Sequence, residues 1–227
     1  MHRLVHIGIL LSLITSASLA PLGSQTIDSL AFKDLQFRMV GPFRGGRSSA
    51  VTGFPADLDR WLMGTTGGGV WETTDNGISW RNISDGFFGG SIGAVRVADS
   101  DPNVIYVGQG SADIRGNTST GRGMWKSMDA GRTWTFIGLP EAGQIGRIEV
   151  HPDNHNLVYV AALGHPFGKN PERGIFRSGD GGETWEHVLA LNDSTGASDL
   201  TMDMVNPRIL YAGMWRGERK PWTLISG

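Results

Sequence analysis

A repeat of about 50 residues is the feature that most restricts the fold of this chain. Three segments align without gaps, and each contains the pattern S/T-x-D-x-G-x-S/T-W; their aspartates are Asp75, Asp129 and Asp180. Matching pairs of β-prone runs lie at residues 91–110, 144–164 and 197–215, with a looser copy at 48–64. Four short β-rich runs in a repeat of this length are typical of the blades of a β-propeller.

The repeat predicts an all-β fold, a β-propeller with four-stranded antiparallel blades whose strands A to D run in chain order. The Asp-containing motif forms the turn between strands C and D. The blades are expected at about 46–84, 92–138, 145–189 and 197–227, the last with strands A and B only. The ring is therefore predicted to be incomplete, with about 3.5 blades present. We interpret the chain as the N-terminal fragment of a longer propeller.

The first twenty residues have the pattern of a secretory signal peptide. An apolar run at residues 7–14 follows basic residues, and small residues precede Ala20, the expected cleavage position, with cleavage after Ala17 as the alternative. The run is too short to span a bilayer, so no transmembrane span is expected after cleavage. Residues 21–45 then lead into the first blade. We expect an exported protein, in a bacterial periplasm or outside the cell.

Charge and cysteine content exclude several classes of partner and cofactor. The formal net charge of -2 gives no electrostatic reason to expect nucleic acid. The chain has no cysteine and therefore no disulfide or thiolate metal site. His151 and His155 have a spacing that metal ligands can have, but they fall in the turn between strands A and B of blade three. No metal site and no cofactor are predicted.

The repeated motif is expected to stabilise the C–D turns. The aspartate accepts backbone N–H groups, the glycine takes a positive φ, and the tryptophan packs between neighbouring blades. A group that recurs in every blade indicates a structural role, because an active site needs one set of residues. We therefore interpret these residues as structural and not catalytic: Asp75, Gly77, Trp80, Asp129, Gly131, Trp134, Asp180, Gly182 and Trp185.

A ligand site is expected on the opposite rim, where the blades differ. This rim carries the D–A loops and the B–C loops, which are predicted at 65–69, 110–122, 164–173 and 216–227. Its candidate ligand-binding residues are Arg44, Arg47, Asp113, Arg115, His165, Arg173 and Arg216. Converging guanidinium groups could bind a carboxylate, a phosphate or a sulfated sugar. The alternative is that these polar loops are solvated or contact further blades.

The three motifs resemble the Asp boxes, or bacterial neuraminidase repeats, of sialidases, xyloglucanases and sortilin-type propellers. The longer pattern GPFRGGR, GGGVW, SIGAVRV and IGRIEVHP is similar to that of large exported bacterial proteins of the glycosyl-hydrolase-like or sortilin-like group. The resemblance extends from Phe37 to the end of the chain. It implies a propeller that is much longer than this sequence.

The enzymes among these relatives allow a comparison of single residues. Sialidases carry an arginine in a Phe-Arg-Ile-Pro context, whereas Arg44 is followed by two glycines. Xyloglucanase-type enzymes have a catalytic aspartate shortly before a Gly-Gly pair in blade one, and Thr66 stands at that position here. Since glycoside hydrolysis ordinarily needs two carboxylates, one expected member of the pair is missing.

Two functions are compatible with these patterns. The first is an exported propeller scaffold that binds a peptide, a protein or a glycan at the rim of B–C and D–A loops, without a catalytic set. The alternative is a glycoside hydrolase of sialidase or xyloglucanase type. Its catalytic carboxylates would include Asp113, the one candidate here, or would lie beyond Gly227.

Overall fold

The structure is a computed structural model that describes residues 47–227. The predicted signal peptide (1–20), the segment that leads into blade one (21–45) and the candidate Arg44 lie outside the described residues. All regular elements within 47–227 are β-strands, which form antiparallel sheets. In this part of the chain, no helix is long and apolar enough to cross a membrane.

The strands are short and follow one another through turns and loops. They are β1 (Ser48–Phe54), β2 (Asp57–Thr65), β3 (Val70–Thr73), β4 (Arg81–Asn82), β5 (Ile92–Val97), β6 (Ile105–Gln109), β7 (Met124–Ser127), β8 (Thr135–Gly138), β9 (Ile145–His151), β10 (Asn154–Ala162), β11 (Gly174–Ser178), β12 (Glu186–Leu189), β13 (Thr195–Met202), β14 (Leu210–Lys220) and β15 (Thr223–Ser226).

Each sheet takes its strands in chain order, as a propeller blade does. Blade one is β1-β2-β3-β4, blade two β5-β6-β7-β8 and blade three β9 to β12, and all neighbouring strands are antiparallel. The first strands of successive blades contact one another, β1 with β5, β5 with β9 and β9 with β13. They therefore line a common inner channel. The prediction of an all-β propeller with an unclosed ring is confirmed.

The hydrophobic core lies between blades. One cluster joins blades one and two and includes Leu62, Ile92 and Trp134, while a second joins blades two and three. A smaller cluster around Leu200 joins blades three and four. Strand β6 is buried along its whole length because neighbouring blades cover both of its faces. Burial on two faces explains its continuous apolar sequence, Ile-Tyr-Val, in place of alternation.

Blade four differs from its prediction. Residues 216–227 are predicted as a B–C loop, but β14 continues to Lys220 and pairs with a third strand, β15. The part of β14 up to Arg216 pairs with β13, and the part from Gly217 pairs with β15. The prediction of two strands in this blade is therefore wrong. The third strand forms because the β-prone run Thr-Leu-Ile follows a Pro-Trp turn. Neither the run nor the turn occurs in the repeat pattern.

Candidate functional site

The C–D turns share one set of hydrogen bonds. In blade two, Asp129 Oδ1 accepts the backbone N–H of Thr133 at 2.8 Å and Oδ2 accepts its hydroxyl at 2.6 Å. The Ser127 hydroxyl donates to Asp129 and accepts the N–H of Gly131, both at 2.8 Å. Gly131 has a φ of 89°, which only glycine adopts freely. The same bonds recur in blades one and three.

These bonds keep the three carboxylates ionised. The side-chain hydrogen bond from Ser79 is the largest cause that lowers the pKa of Asp75 from the ordinary 3.8 to about 2. The hydroxyl of Thr133 likewise lowers the pKa of Asp129 to about 2, and that of Thr184 lowers the pKa of Asp180 below its ordinary range. An acid that is ionised at every physiological pH and bound within its own turn cannot serve as a proton donor.

We expect the stabilising effect of these carboxylates to disappear in acid. The pKa of Asp129 is about 2 in the folded protein and ordinarily 3.8, so its contribution to stability is complete above about pH 5 and is lost as the pH falls through about 2. Urea unfolding of the wild type and of Asp129→Asn at pH 7, 5, 3 and 2 measures this. The stability difference should be large and equal at pH 7 and pH 5, smaller at pH 3 and smallest at pH 2. A stability difference between the two proteins that is independent of pH would contradict this prediction.

The motif tryptophans connect successive blades. Trp134 is 6% exposed, and its indole N–H donates to the Ile83 carbonyl of the preceding blade at 2.8 Å. Trp185 donates to the Ile137 carbonyl of blade two at 2.7 Å. Trp80 is 36% exposed and donates to a carbonyl of its own turn. Within residues 47–227, the predicted packing between blades is thus present for Trp134 and Trp185 but not for Trp80, which no described blade precedes.

A cleft on the opposite rim brings together three of the rim candidates, Arg47, Asp113 and Arg115. Antiparallel pairing places the start of each first strand beside the end of the second, so these residues share one end of blades one and two. The cleft has a volume of 200 Å³. Its lining residues are Arg47, Ser48, Ser49, Thr66, Ser91, Ser111, Asp113, Arg115, Thr118 and Ser119.

Backbone bonds hold the loop that carries two of these groups. The Ser111 hydroxyl accepts the N–H of Asp113 at 3.1 Å, and the Thr118 hydroxyl accepts the N–H of Arg115 at 2.7 Å. The buried side chain of Gln144 accepts the N–H of Ser111 and donates to a carbonyl at 3.0 Å. Within residues 47–227, the Asp113 carboxylate and the Arg115 guanidinium have no side-chain partner. In the described part of the chain, both groups are therefore open to a ligand.

Arg173 does not belong to the cleft. It is 1% exposed, and all five of its N–H donors are used. Its acceptors are the side-chain oxygen of Asn170 (3.1 Å) and the carbonyls of Ser194 (3.2 Å), Gly217 (3.4 Å), His165 (2.5 Å) and Gly168 (2.9 Å). Burial lowers the pKa of Arg173, while Glu218 and Asp193 oppose that shift. The prediction that Arg173 binds a ligand is wrong, because no donor remains for one.

His165 and Arg216 also lie away from the cleft. The His165 ring nitrogen Nε2 is 3.7 Å from a carboxylate oxygen of Glu141, next to the loop that Arg173 holds. Arg216 lies in strand β14, where its backbone pairs with Thr195 and Gly227. It is therefore a strand residue and not the loop residue that the sequence predicts. Neither side chain lines the cleft that holds Asp113.

Residues 47–227 contain no cluster of three or more histidine, aspartate or glutamate side chains that could hold a metal ion. His151 is the last residue of β9, directly before the turn, and its Nδ1 accepts the N–H of Asp153 at 3.2 Å. The carbonyl of His155 accepts the hydroxyl of Tyr106 at 2.8 Å. His151 thus stabilises the turn between β9 and β10, and His155 bonds this part of blade three to blade two.

An aromatic recess beside the cleft was not predicted. We define it by Phe87, Phe88, Gln109, Arg122 and Trp125, and its volume is 350 Å³. Phe88 stacks on Trp125 with ring centroids 4.7 Å apart, and Phe87 is 42% exposed. The sequence signal was the pair of phenylalanines in an otherwise polar D–A loop, since adjacent exposed aromatic residues mark binding surfaces.

No protein-family model matches the chain. A xyloglucanase of Hypocrea jecorina (strain QM6a) is 29% identical over an alignment of 124 residues, and the match covers 48% of this chain and 14% of that enzyme. The match thus spans about one seventh of the length of the curated relative.

Solved structures show the architecture more fully. An ancestral GH74 enzyme superposes with a TM-score of 0.59 at 22% identity, covering 77% of this chain and 22% of that one. The GH74 enzyme of Niastella koreensis has a TM-score of 0.56 at 18% identity, with coverage of 73% and 28%. The GH74 xyloglucanase of Xanthomonas campestris has a TM-score of 0.51 at 16% identity, and the superposition covers 80% of this chain and 30% of that one. At these identities the likeness shows the fold alone: the described chain is part of a β-propeller.

Proposed function

We propose that the rim cleft binds a peptide, protein or glycan ligand and does not hydrolyse it. One observation carries the proposal: Arg47, Asp113 and Arg115 converge on a single cleft. The remaining seven lining residues are serines and threonines, which donate and accept hydrogen bonds. Polar groups placed around a concave surface fix the orientation of a bound ligand and make its binding specific.

The carboxylate content of the cleft favours binding over hydrolysis. Glycoside hydrolysis ordinarily needs two carboxyl groups on opposite sides of the scissile bond. Of the ten lining residues that the structure describes, Asp113 is the single carboxylate, and Thr66 lies where the resemblance to xyloglucanases implies the other. The motif aspartates do not supply the missing group, because each is bound within its own C–D turn.

A glycoside hydrolase is the second candidate function. The similarity to a xyloglucanase over 124 residues and the likeness to GH74 structures support it. In that case Asp113 would be one catalytic carboxylate. The second catalytic carboxylate would come from a residue that does not line the cleft, with the two carboxyl groups roughly 5–9.5 Å apart.

We also propose that the C–D turns are Asp boxes of the bacterial neuraminidase type and that the propeller is of the glycosyl-hydrolase-like or sortilin-like kind. The shared hydrogen bonds of Asp75, Asp129 and Asp180 support this proposal. The N-terminal sequence pattern further supports export after removal of residues 1–20.

One experiment separates the two candidate functions. The purified protein is tested against a panel of polysaccharides and immobilised peptides, with binding and the release of new reducing ends both measured. We expect binding without release, and a loss of affinity of at least about tenfold in Arg115→Ala, because a charged hydrogen bond contributes about 1.5–3 kcal/mol. Arg132→Ala, on the opposite rim, is the matched control. Release of reducing ends that Asp113→Ala abolishes would instead make the protein a glycoside hydrolase.

A further inference from the structure

We propose that the cleft and the aromatic recess together bind an extended peptide that carries an acidic residue near a bulky apolar residue. This inference rests on the proposed function of the cleft and adds the chemistry of its ligand. The acidic side chain would lie between Arg47 and Arg115. The apolar side chain would enter the recess beside Phe87.

The cleft and the recess form one continuous surface. Ser91 and Ser119 line both of them. The cleft alone, at 200 Å³, is smaller than the roughly 300–1,000 Å³ of most ligand sites, and only with the recess, at 350 Å³, does it reach that range. An extended ligand can therefore occupy both, whereas a compact one would fill only part of the site.

A buried hydroxyl between the two parts supports a ligand there. Ser91 is 4% exposed, and its Oγ has no hydrogen-bond partner within residues 47–227. A buried polar atom without a partner costs free energy, so such atoms are rare in folded proteins. Because Ser91 lines both the cleft and the recess, rotation about χ1 is the movement that would bring its Oγ towards a ligand there. A peptide N–H or carbonyl could then supply the missing bond.

Charge favours an acidic ligand. Arg47, Arg115 and Arg122 line the combined surface, and Asp113 is the one acidic side chain that lines it in the described part of the chain. Within residues 47–227, the guanidinium groups of Arg115 and Arg122 have no hydrogen-bonded or ionic partner. A guanidinium binds a carboxylate through two parallel N–H···O bonds, which a neutral hydroxyl cannot match.

The geometry of the aromatic rings favours an apolar side chain over a sugar. Phe88 and Trp125 stack on each other with an interplanar angle of 24°, so the facing sides of both rings are covered. Phe136 contacts Trp125 at 68°, which occupies a further part of the indole. A flat sugar would need an open aromatic face for stacking. Ring edges around a recess, with Phe87 exposed at its margin, instead suit insertion of a leucine or phenylalanine side chain.

An array of decapeptides tests the inference. Each peptide carries one Glu and one Phe, separated by zero to four residues, in a Gly-Ser background. Matched arrays replace Glu by Lys or Phe by Ser. We expect binding at one or two of the spacings, with a loss of at least tenfold in both matched arrays. Binding should also weaken as salt is raised, because the arginines are exposed.

Three variants test whether the peptides bind at the cleft and the recess. Arg115→Gln and Phe87→Ser should each lower the affinity at least fivefold, while Arg132→Gln and Phe167→Ser, which alter exposed residues outside the site, should not change it. Ser91→Ala should lower the affinity about twofold to tenfold, as loss of one hydrogen bond does. Its midpoint of urea unfolding should not fall, because the Ser91 hydroxyl has no hydrogen-bond partner within residues 47–227.

Three outcomes would overturn the inference. In the first outcome, neutral oligosaccharides bind, Arg115→Gln weakens their binding, and no peptide binds. The cleft then keeps its proposed function, but its ligand is a glycan. If peptides bind equally well to Phe87→Ser, the recess takes no part. If neither ligand class binds to folded protein, both the inference and the proposed function are wrong.

Discussion

Replacement of Trp134 by alanine is expected to lower the free energy of unfolding by about 3–5 kcal/mol. The indole is 6% exposed, packs in the cluster between blades one and two, and contacts Phe88 edge to face at 5.4 Å. Truncation leaves a cavity between the blades and removes the hydrogen bond to the Ile83 carbonyl. Urea unfolding followed by tryptophan fluorescence and by circular dichroism measures the loss.

Trp80 is the matched control in the same motif. Its indole is 36% exposed and bonds within its own turn. Trp80→Ala should therefore cost less than about 1 kcal/mol, in keeping with substitutions of exposed residues. Equal losses in Trp80→Ala and Trp134→Ala would mean that the tryptophan acts within its turn and not between blades.

Replacement of Arg173 by methionine is expected to cost about 3–5 kcal/mol, the loss typical of breaking a buried charged network. Methionine fills much of the volume but removes the Arg173 donor from each of five oxygen acceptors, of which Asn170 Oδ1 keeps the N–H of His165. Arg173→Lys keeps a charge with three donors and should lose less. Exposed Arg115→Met, as a control, should change stability by at most about 0.5 kcal/mol.

Hydrogen exchange can show where the effect of Arg173→Met arises. The bonds of Arg173 connect the B–C loop of blade three with Ser194 and with Gly217 of blade four. Faster exchange of the Asn170 N–H, which bonds the Asp193 carbonyl at 3.1 Å, is therefore expected in the variant. Unchanged stability and exchange would mean that ordered water replaces the guanidinium.

The blades were predictable from sequence because their determinants are local and repeated. Strand alternation, the glycine with positive φ and the turn aspartate recur in each copy, so one alignment places all of them. Blade four shows the limit of this argument. Its third strand follows a Pro-Trp turn that has no counterpart in the other copies, so the comparison between repeats gave no guide to it.

The rim could be predicted only in part. Arg47, Asp113 and Arg115 come together because the topology of two adjacent blades brings their loops to one end. The burial of Arg173 depends on carbonyls 21 and 44 residues away in the chain, and no local pattern encodes such contacts. The aromatic recess likewise depends on a stack between a D–A loop and strand β7, which becomes visible only in three dimensions.

In each tryptophan hydrogen bond between blades, the donor lies in the later blade and the acceptor in the blade before it. Trp134 bonds Ile83 and Trp185 bonds Ile137, so each of these blades carries a donor whose acceptor was synthesised about fifty residues earlier. During synthesis, blade two can thus bond to blade one and blade three to blade two without waiting for later sequence. The same arrangement suits growth by gene duplication, because a copied blade brings its own indole and offers its own carbonyl to the next.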